Sequence, residues 1–464
     1  MDLPDLTRFR QTGIISPAAM RVVERNARSL GVADAQMMEA AGKALADAVI
    51  RYSPRNVLVL CGKGNNGGDG MVAARYLQHA ADVHVCYHDD PLMSPQTCAQ
   101  VRVLRSCRLT CHPVQCAGDV DALAPLFTEA DLILDALLGT GSLGDPREPI
   151  RSAIRLANQA AARVVAADLP TPGMRADLIV AFHRPKCEVA EVVEIGIPFE
   201  AECCVGPGDL TLLPRLKPSA RKGEGGRVLV VGGGPYHGAP VLAGLAALRA
   251  GADLVRVASP AAVPPVDLIH EHLPGERVGD QHLELLTGLA EWADVVVCGN
   301  GIGRLSHSTV TSLATSCKRA VFDADALRRP LPVADETIYT PHAGEFTRMT
   351  GIDLPLQLAK RGDVVRDAAG PGCILLKGQV DVISDGVRVR FNTAGCPAMA
   401  VGGTGDILAG VTGALFCRLP AFEASCIAAF VTGVAGTEVA ARFGEGLLAS
   451  DLLTAVPHAL YFEE

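Results

Sequence analysis

The stretch Asn56-Val57-Leu58-Val59-Leu60-Cys61-Gly62-Lys63-Gly64-Asn65-Asn66-Gly67-Gly68-Asp69-Gly70 decides the fold of this chain. An apolar run that stops at turn residues reads as a strand buried in a parallel sheet, here Asn56–Cys61. The glycine turn that follows opens a helix from about Gly70 to Ala80. Glycine lets backbone N–H groups approach an anion closely, because no Cβ stands in the way. An aspartate fixed beside such a turn can take a proton or hold a cation. A second, dissimilar turn, Gly402-Gly403-Thr404-Gly405-Asp406, opens a helix rich in Ala, Leu and Gly. Two such turns, far apart in sequence, imply two sites for phosphate-bearing ligands and two domains.

Working outward, residues 17–50 read as helical. Met20, Val23, Ala27 and Leu30, then Met37, Met38, Ala41 and Leu45, recur at spacings of three and four. Val83–Tyr87, Leu132–Ala136, Val164–Asp168 and Asp177–Ala181 are further strand candidates separated by helical stretches, which predicts a doubly wound parallel sheet. Asn65, Asn66, Asp69, Asp135, Gly139 and Asp168 would then meet at its C-terminal edge, where such sheets bind ligands. A turn-rich connection follows with Gly206-Pro207-Gly208, Pro214, Pro218 and Gly225-Gly226. The strand pattern restarts at Arg227–Val231 and continues through Val255–Ala258, Val295–Cys298, Ala320–Phe322, Cys373–Leu376 and Val380–Ile383. Helical blocks fit 239–251, 404–416, 421–443 and 450–460. The expected architecture is α/β throughout, with a Rossmann-like doubly wound domain over 1–212 and a second α/β domain over 213–464.

Composition agrees. The 464 residues are 49% hydrophobic and only 20% charged, a balance that folds rather than stays disordered. A net charge of −9 gives no general basic field for nucleic acid or an anionic membrane. No uninterrupted apolar run reaches the roughly 18–20 residues of a spanning helix. Met1-Asp2-Leu3-Pro4-Asp5-Leu6 lacks a basic segment followed by an apolar one, so the expectation is a cytoplasmic protein. The 15 cysteines, an odd number, argue against a disulfide framework. Cys107, Cys111, His112 and Cys116 contain no Cys-x-x-Cys pair and read as ordinary thiols and an imidazole.

Gly62-x-Gly64-x-x-Gly67 and Gly139-x-Gly141-x-x-Gly144 both match the dinucleotide fingerprint, and Asp89 lies near the distance of its acidic residue. A pyridine-nucleotide dehydrogenase is therefore open. Asn65, Asn66 and Asp69 exceed what the fingerprint or a helix cap requires, and their oxygens suit a hard cation. Asp406, at a helix N-terminus where consecutive amides can hold a phosphate in transit, reads as a general base or as a cap. Lys377 and Gly378 follow a strand, where the lysine could reach a phosphate. His342, in Thr340-Pro341-His342-Ala343-Gly344-Glu345, is a ligand contact or a structural imidazole. Asp323 and Asp325 cap a helix or order a pocket.

Taken in order, these motifs resemble the bifunctional NAD(P)H-hydrate repair enzyme family, an N-terminal epimerase fused to an ADP- or ATP-dependent dehydratase of ribokinase-like fold. The resemblance rests on Met38–Gly42, Gly64–Gly70, Asp135–Gly141, Asp168–Thr171 and Phe182–Lys186 in the first half. In the second half it rests on Lys222–Gly226, Gly238–Pro240, Gly299–Gly303, Asp323–Leu327, Thr340–Glu345, Leu376–Gly378 and Gly402–Asp406. It implies an epimerase site in which Asn65, Asn66, Gly67, Gly68 and Asp69 bind the hydrated nucleotide. Gly139, Thr140, Gly141, Ser142, Leu143, Gly144 and Asp145 would wrap its phosphates, and Asp168 would bind substrate and act as acid or base. Asn66, Asp135 and Thr171, the last where the family usually has serine, would ligate K⁺. It implies a dehydratase site in which Ala239, Gly301, Gly303, His342 and Asp406 contact the hydrate. Lys377, Gly378, Gly402, Gly403, Thr404 and Gly405 would hold the ADP or ATP with Mg²⁺, and Asp406 would be catalytic. The implied substrates are NADHX and NADPHX, with no nucleic acid or membrane partner and a homo-oligomeric assembly. A ribokinase-like small-molecule kinase is the nearest alternative.

Overall fold

Seven parallel strands carry the first of two units in this computed structural model, which describes residues 6–107, 109–139, 141, 144–262 and 265–461. The strands are β1 (Asn56–Cys61), β2 (Asp82–His88), β3 (Thr110–Val114), β4 (Leu132–Ala136), β5 (Arg163–Ala167), β6 (Leu178–Phe182) and β7 (Glu191–Val193). Their order in the sheet is β3-β2-β1-β4-β5-β6-β7. The strand order therefore reverses between β1 and β4, and the crevice at that switch point is where a doubly wound sheet takes its ligand. β1, β4 and β5 are buried almost throughout, as their continuous apolar runs require. The 17–50 stretch forms two helices, Pro17–Ser29 and Asp34–Ile50; Ser16 caps the first by accepting the Ala19 N–H.

The helix after β1 spans Asn65–Leu77 and so begins inside the glycine turn rather than after it. A Cβ on Gly62 would lie 1.7 Å from the Leu137 carbonyl oxygen, and one on Gly67 would lie 1.9 Å from that of Gly62. These glycines exist because helix, turn and the exit of β4 are in contact with one another. Gly64, with open space around it, is the one in this turn left to face a ligand.

The second unit holds nine strands: β8 (Arg227–Val231), β9 (Leu254–Ser259), β10 (Ile269–His272), β11 (Val295–Cys298), β12 (Arg319–Phe322), β13 (Glu336–Tyr339), β14 (Cys373–Leu376), β15 (Asp381–Ser384) and β16 (Val389–Asn392). Their order is β10-β9-β8-β11-β12-β13-β14-β15-β16. The strands through β14 are parallel, and β15 and β16 continue the sheet as antiparallel hairpins. The helices Gly238–Arg249, Thr404–Phe416 and Ala421–Phe443 contribute to one apolar layer against this sheet. Gly410 lets the first two touch: a Cβ there would lie 2.0 Å from the Ala243 carbonyl oxygen. The segment Ala421–Gly446 is long and apolar enough by composition to cross a membrane, with mean hydropathy 1.5. Two thirds of its apolar window (67%) is buried inside the unit, as befits a core helix.

The expected division fell at 212/213. By contacts the units are Thr12–Pro198 and, together, Met1–Gln11 with Phe199–Glu464. Phe199–Leu212 stay with the second unit because Val205 N–H donates to the Phe391 carbonyl at 2.8 Å and Asp209 pairs with Arg390. The segment before Thr12 joins it through Leu6 and Phe9, both buried. The Phe9 ring meets Phe391 edge-on at 5.4 Å, and Arg8 pairs with Asp363 at 2.6 Å. Phe9→Ala should therefore destabilise the second unit by about 3 kcal/mol. The single tryptophan, Trp292, lies in that unit, so its fluorescence during urea unfolding reads the change. An unchanged midpoint would show that the segment does not support this core.

Candidate functional site

In the first unit the strand exits bring most of the expected residues together. Asp135, next to last in β4, is fully buried, and its carboxylate is filled by Thr171: the backbone N–H donates to Oδ2 and the hydroxyl to Oδ1, both at 2.8 Å. Leu137 N–H adds a bond to Oδ1 at 3.2 Å, and Leu138 N–H donates to the Thr171 hydroxyl at 3.1 Å. Burial, the largest influence, raises the Asp135 carboxyl above its ordinary value; the three bonds oppose it. Asn66 approaches the same edge, since a Cβ on Gly139 would lie 3.2 Å from the Asn66 Cβ. Both polar atoms of the Asn66 carboxamide are buried without a protein partner. An orphaned carboxamide oxygen beside a buried carboxylate and a threonine suits a hard monovalent cation. Gly67 and Gly68 are buried packing positions, Asn65 and Gly141 are exposed, and so are Gly144 and Asp145. Thr140, Ser142 and Leu143 lie outside the described residues.

Asp168, just past β5, adopts a left-handed backbone (φ +64°), a conformation that a non-glycine residue holds only when its surroundings enforce it. Lys186 holds its carboxylate. Its ammonium, almost fully buried, sits 2.6 Å from Asp168 Oδ1 and donates to the Phe182 carbonyl at 2.5 Å. Phe182 N–H donates to the same Asp168 oxygen at 3.2 Å. Two further carboxyls face this pair. Burial pushes Asp69 well above its ordinary value, the charges of Asp168 and Glu24 add to the push, and Lys186 opposes it. Glu24 is raised by burial and lowered by Arg28 and Lys186. Sequence reasoning gave no role to Lys186 or Glu24. The signal for Glu24 was there: it falls four residues after Met20 on a helix whose Met20, Val23 and Ala27 are buried.

The second site is built at the exits of β8, β11, β12 and β14, beside the switch between β8 and β11. Asp406 lies in the first turn of Thr404–Phe416, whose cap Gly403 has φ +102°. The Asn300 carboxamide, fully buried after β11, donates to Asp406 Oδ1 at 2.7 Å and to Asp323 Oδ2 at 3.2 Å. Asp323, at the exit of β12, also accepts from Lys377 at 2.7 Å and from the Thr340 hydroxyl at 2.9 Å. Lys377 reaches the glycine turn: a Cβ on Gly405 would be 3.3 Å from its Nζ. Lys377 N–H donates to the Pro341 carbonyl, which sets His342 beside it on the extension of β13. The exposed His342 ring caps its own helix by accepting from the Gly344 and Glu345 amides at 3.0 and 3.3 Å. Ala239 and Gly301 adjoin, a Cβ on Gly301 falling 3.2 Å from the Ala239 Cβ, and Gly303 packs on Pro235. The Gly378 amide is taken up by Asp381 at 2.9 Å, Thr404 Oγ1 donates to the Met399 and Val401 carbonyls, and Gly402 stands in open space. Asn300 was not singled out from sequence, although it occupies the strand-exit position between Gly299 and Gly301.

Burial lifts the Asp406 carboxyl to about 6; Asp323 adds to this, while the Asn300 bond and Lys377 resist it. A carboxylate near 6 at a helix N-terminus, opposite a lysine, can accept a proton close to neutral pH while a phosphoryl group is held by amides and ammonium.

Two doubly wound sheets, each with a carboxylate set at its switch point, define a two-site α/β enzyme. The family model described as YjeF-related protein N-terminus matches residues 34–187, and that described as NAD(P)H-hydrate dehydratase matches residues 228–458. Among curated relatives, the bifunctional NAD(P)H-hydrate repair enzyme of Methanospirillum hungatei is 51% identical over 460 residues, covering 99% of this chain and 96% of the relative. That of Archaeoglobus fulgidus is 40% identical over 474 residues, covering 96% and 98%. A solved ADP/ATP-dependent NAD(P)H-hydrate dehydratase from Bacillus subtilis is 25% identical, with TM-score 0.48, covering 54% of this chain and 95% of that one. The chain belongs to the bifunctional NAD(P)H-hydrate repair enzyme family.

A carboxyl raised in the folded state costs stability wherever it is ionised. The cost is complete above pH 6 and fades as pH falls toward the ordinary value of 3.8. Asp406→Asn should therefore raise Tm near neutral pH, and the gain should shrink as the pH approaches 4. A gain that is equal at both ends, followed by Trp292 fluorescence, would mean that Asp406 is not held in this way.

Proposed function

We propose that this chain repairs hydrated NADH and NADPH. The unit Thr12–Pro198 interconverts the R and S hydrates, and the unit containing Phe199–Glu464 dehydrates the S form at the expense of ADP or ATP. The observation that carries this reading is Asp406 at the mouth of a glycine-turned helix, with Lys377 against that turn. Asp406 takes the proton of the C6 hydroxyl as its oxygen bonds to the terminal phosphorus and the bridging P–O bond of the nucleotide breaks. The amides of Gly403–Gly405 and the ammonium of Lys377 take up the charge on the transferring group. The C6–O bond of the resulting ester then breaks, phosphate carries away the electron pair, and loss of the C5 proton restores the ring double bond. Ala239, Gly301, Gly303 and His342 line the side on which the hydrate would lie.

Mg²⁺ supplies charge neutralisation on the phosphates when bound. Asp323 is already taken up by Lys377, Thr340 and Asn300. The ion therefore belongs on the nucleotide's own phosphates rather than in a protein cage. In the first unit Asn66, Asp135 and Thr171 would hold K⁺, which supplies a positive charge beside the substrate phosphates. Asp168, paired with Lys186, acts as the acid–base group of epimerisation.

Purified protein given mixed R and S NADHX, ADP and Mg²⁺ should recover the dihydronicotinamide absorbance fully, with one phosphate released per NADH. Asp406→Asn should slow recovery on the order of a hundred- to ten-thousand-fold. Asp168→Asn should let it stop once the S form is consumed. Phosphate retained on an organic acceptor would favour the kinase reading, and no recovery with either nucleotide would sink repair. Asn66→Ala should raise the K⁺ concentration needed for half-maximal epimerisation; an unaltered K⁺ titration would remove Asn66 from the cation site.

A further inference from the structure

We infer that Asn300 is a positioning residue for the dehydratase base, holding Asp406 in line with Asp323 and Lys377 so that one oxygen of the base is fixed and the other is left free for the substrate hydroxyl. The inference rests on the dehydratase reading given above. One carboxamide nitrogen serves two acids: its N–H groups run to Asp406 Oδ1 at 2.7 Å and to Asp323 Oδ2 at 3.2 Å. Two carboxylates this close repel each other, and a neutral double donor between them satisfies both without adding charge. Asp323 passes the line on to Lys377 at 2.7 Å, and Lys377 stands 3.8 Å from Glu345. The base is thereby fixed relative to the ammonium on the nucleotide side, and proton acceptance and phosphoryl transfer are aligned through a single side chain.

The backbone of Asn300 is held in place. Asn300 is fully buried. Its carbonyl accepts from Gly233 N–H at 3.0 Å, so its backbone is pinned to the exit of β8. Asp406 Oδ2 has no bond to any described residue. The charged groups that bear on Asp406 are Asp323 from the exit of β12 and Lys377 from that of β14, with Glu345 behind the lysine on the helix Ala343–Thr350. None of these replaces the bond that Asn300 gives.

The test is Asn300→Leu in the full chain, which keeps volume and removes both donors, with Asn300→Ser retaining one donor. The rate of S-NADHX dehydration is followed against pH with saturating ADP. The wild type should lose activity on the acid side near pH 6. Loss of a charge-assisted hydrogen bond should move that limb upward by about one unit in the leucine variant, with the serine variant between. The maximal rate should fall about tenfold or more while KM for ADP stays within a few-fold. Carboxyl titration of ¹³C-labelled aspartate, with the Asp406 signal identified by its loss in Asp406→Asn, should give the same shift without substrate. An unmoved acid limb and titration, at whatever rate, would reduce Asn300 to a structural residue and overturn the inference. Should the leucine variant fail to fold, the serine variant alone decides on the same two readouts. A wild type that dehydrates nothing defeats the repair reading, while the ¹³C titration still decides whether Asn300 sets the charge state of Asp406.

Discussion

Contact between a helix and the backbone packed beside it, at a distance that excludes a Cβ, is the constraint on which both sites depend. In the first unit, Gly62 and Gly67 bring the start of Asn65–Leu77 against the exit of β4, so that Asn66 reaches the edge where Asp135 and Gly139 lie. In the second, Gly410 brings Thr404–Phe416 onto Gly238–Arg249, and its first turn is carried to the exits of β11 and β12. An alanine Cβ at Gly67 or Gly410 would lie 1.9 or 2.0 Å from a carbonyl oxygen, far inside van der Waals contact, and the neighbour is backbone that cannot rotate aside. The glycine turns thus serve packing first, and only a few of their glycines, Gly64 and Gly402 among them, stand in open space.

The electrostatics of the two sites differ in kind. The first gathers three carboxyls, Glu24, Asp69 and Asp168, around one buried lysine, and burial, with the neighbouring acids adding to it, raises Glu24 and Asp69. Asp168 holds the ammonium and Asp69 is driven toward its neutral form, a division of labour that suits proton exchange at one carbon. The second distributes its charges along a line in which each acid has a donor: Asn300 for Asp406, and Asn300, Thr340 and Lys377 for Asp323. That line suits the one-directional transfer of a phosphoryl group.

The strands with continuous apolar runs were legible, because a strand buried on both faces has to be apolar on both. Asn56–Cys61, Arg227–Val231, Val295–Cys298 and Cys373–Leu376 lie where the sequence puts them. Thr110–Val114, Glu191–Val193, Ile269–His272 and Val389–Asn392 were not legible. The first three are polar edge strands, and β16 closes the other end of its sheet; a partner strand rather than an intrinsic pattern makes each of them extended. The helix start at Asn65 was missed for a related reason: glycines discourage a helix locally, and close packing on the sheet overrode that preference.

By itself the sequence determined the α/β class, a doubly wound first unit followed by a second α/β unit, and the residues of the glycine turns, since apolar runs and turn chemistry act locally. It also carried Asp168, Lys377 and Asp135 to the ends of strands, where parallel sheets collect their ligands, and Asp406 to a helix N-terminus. Only the tertiary structure decided which groups touch: Lys186 on Asp168, Thr171 in the Asp135 carboxylate, and Asn300 between Asp406 and Asp323. It also decided that the segment before Thr12 completes the core of the second unit. Hydrogen bonds and ion pairs join residues tens to hundreds of positions apart, and no local pattern encodes a partner that the chain must fold to meet.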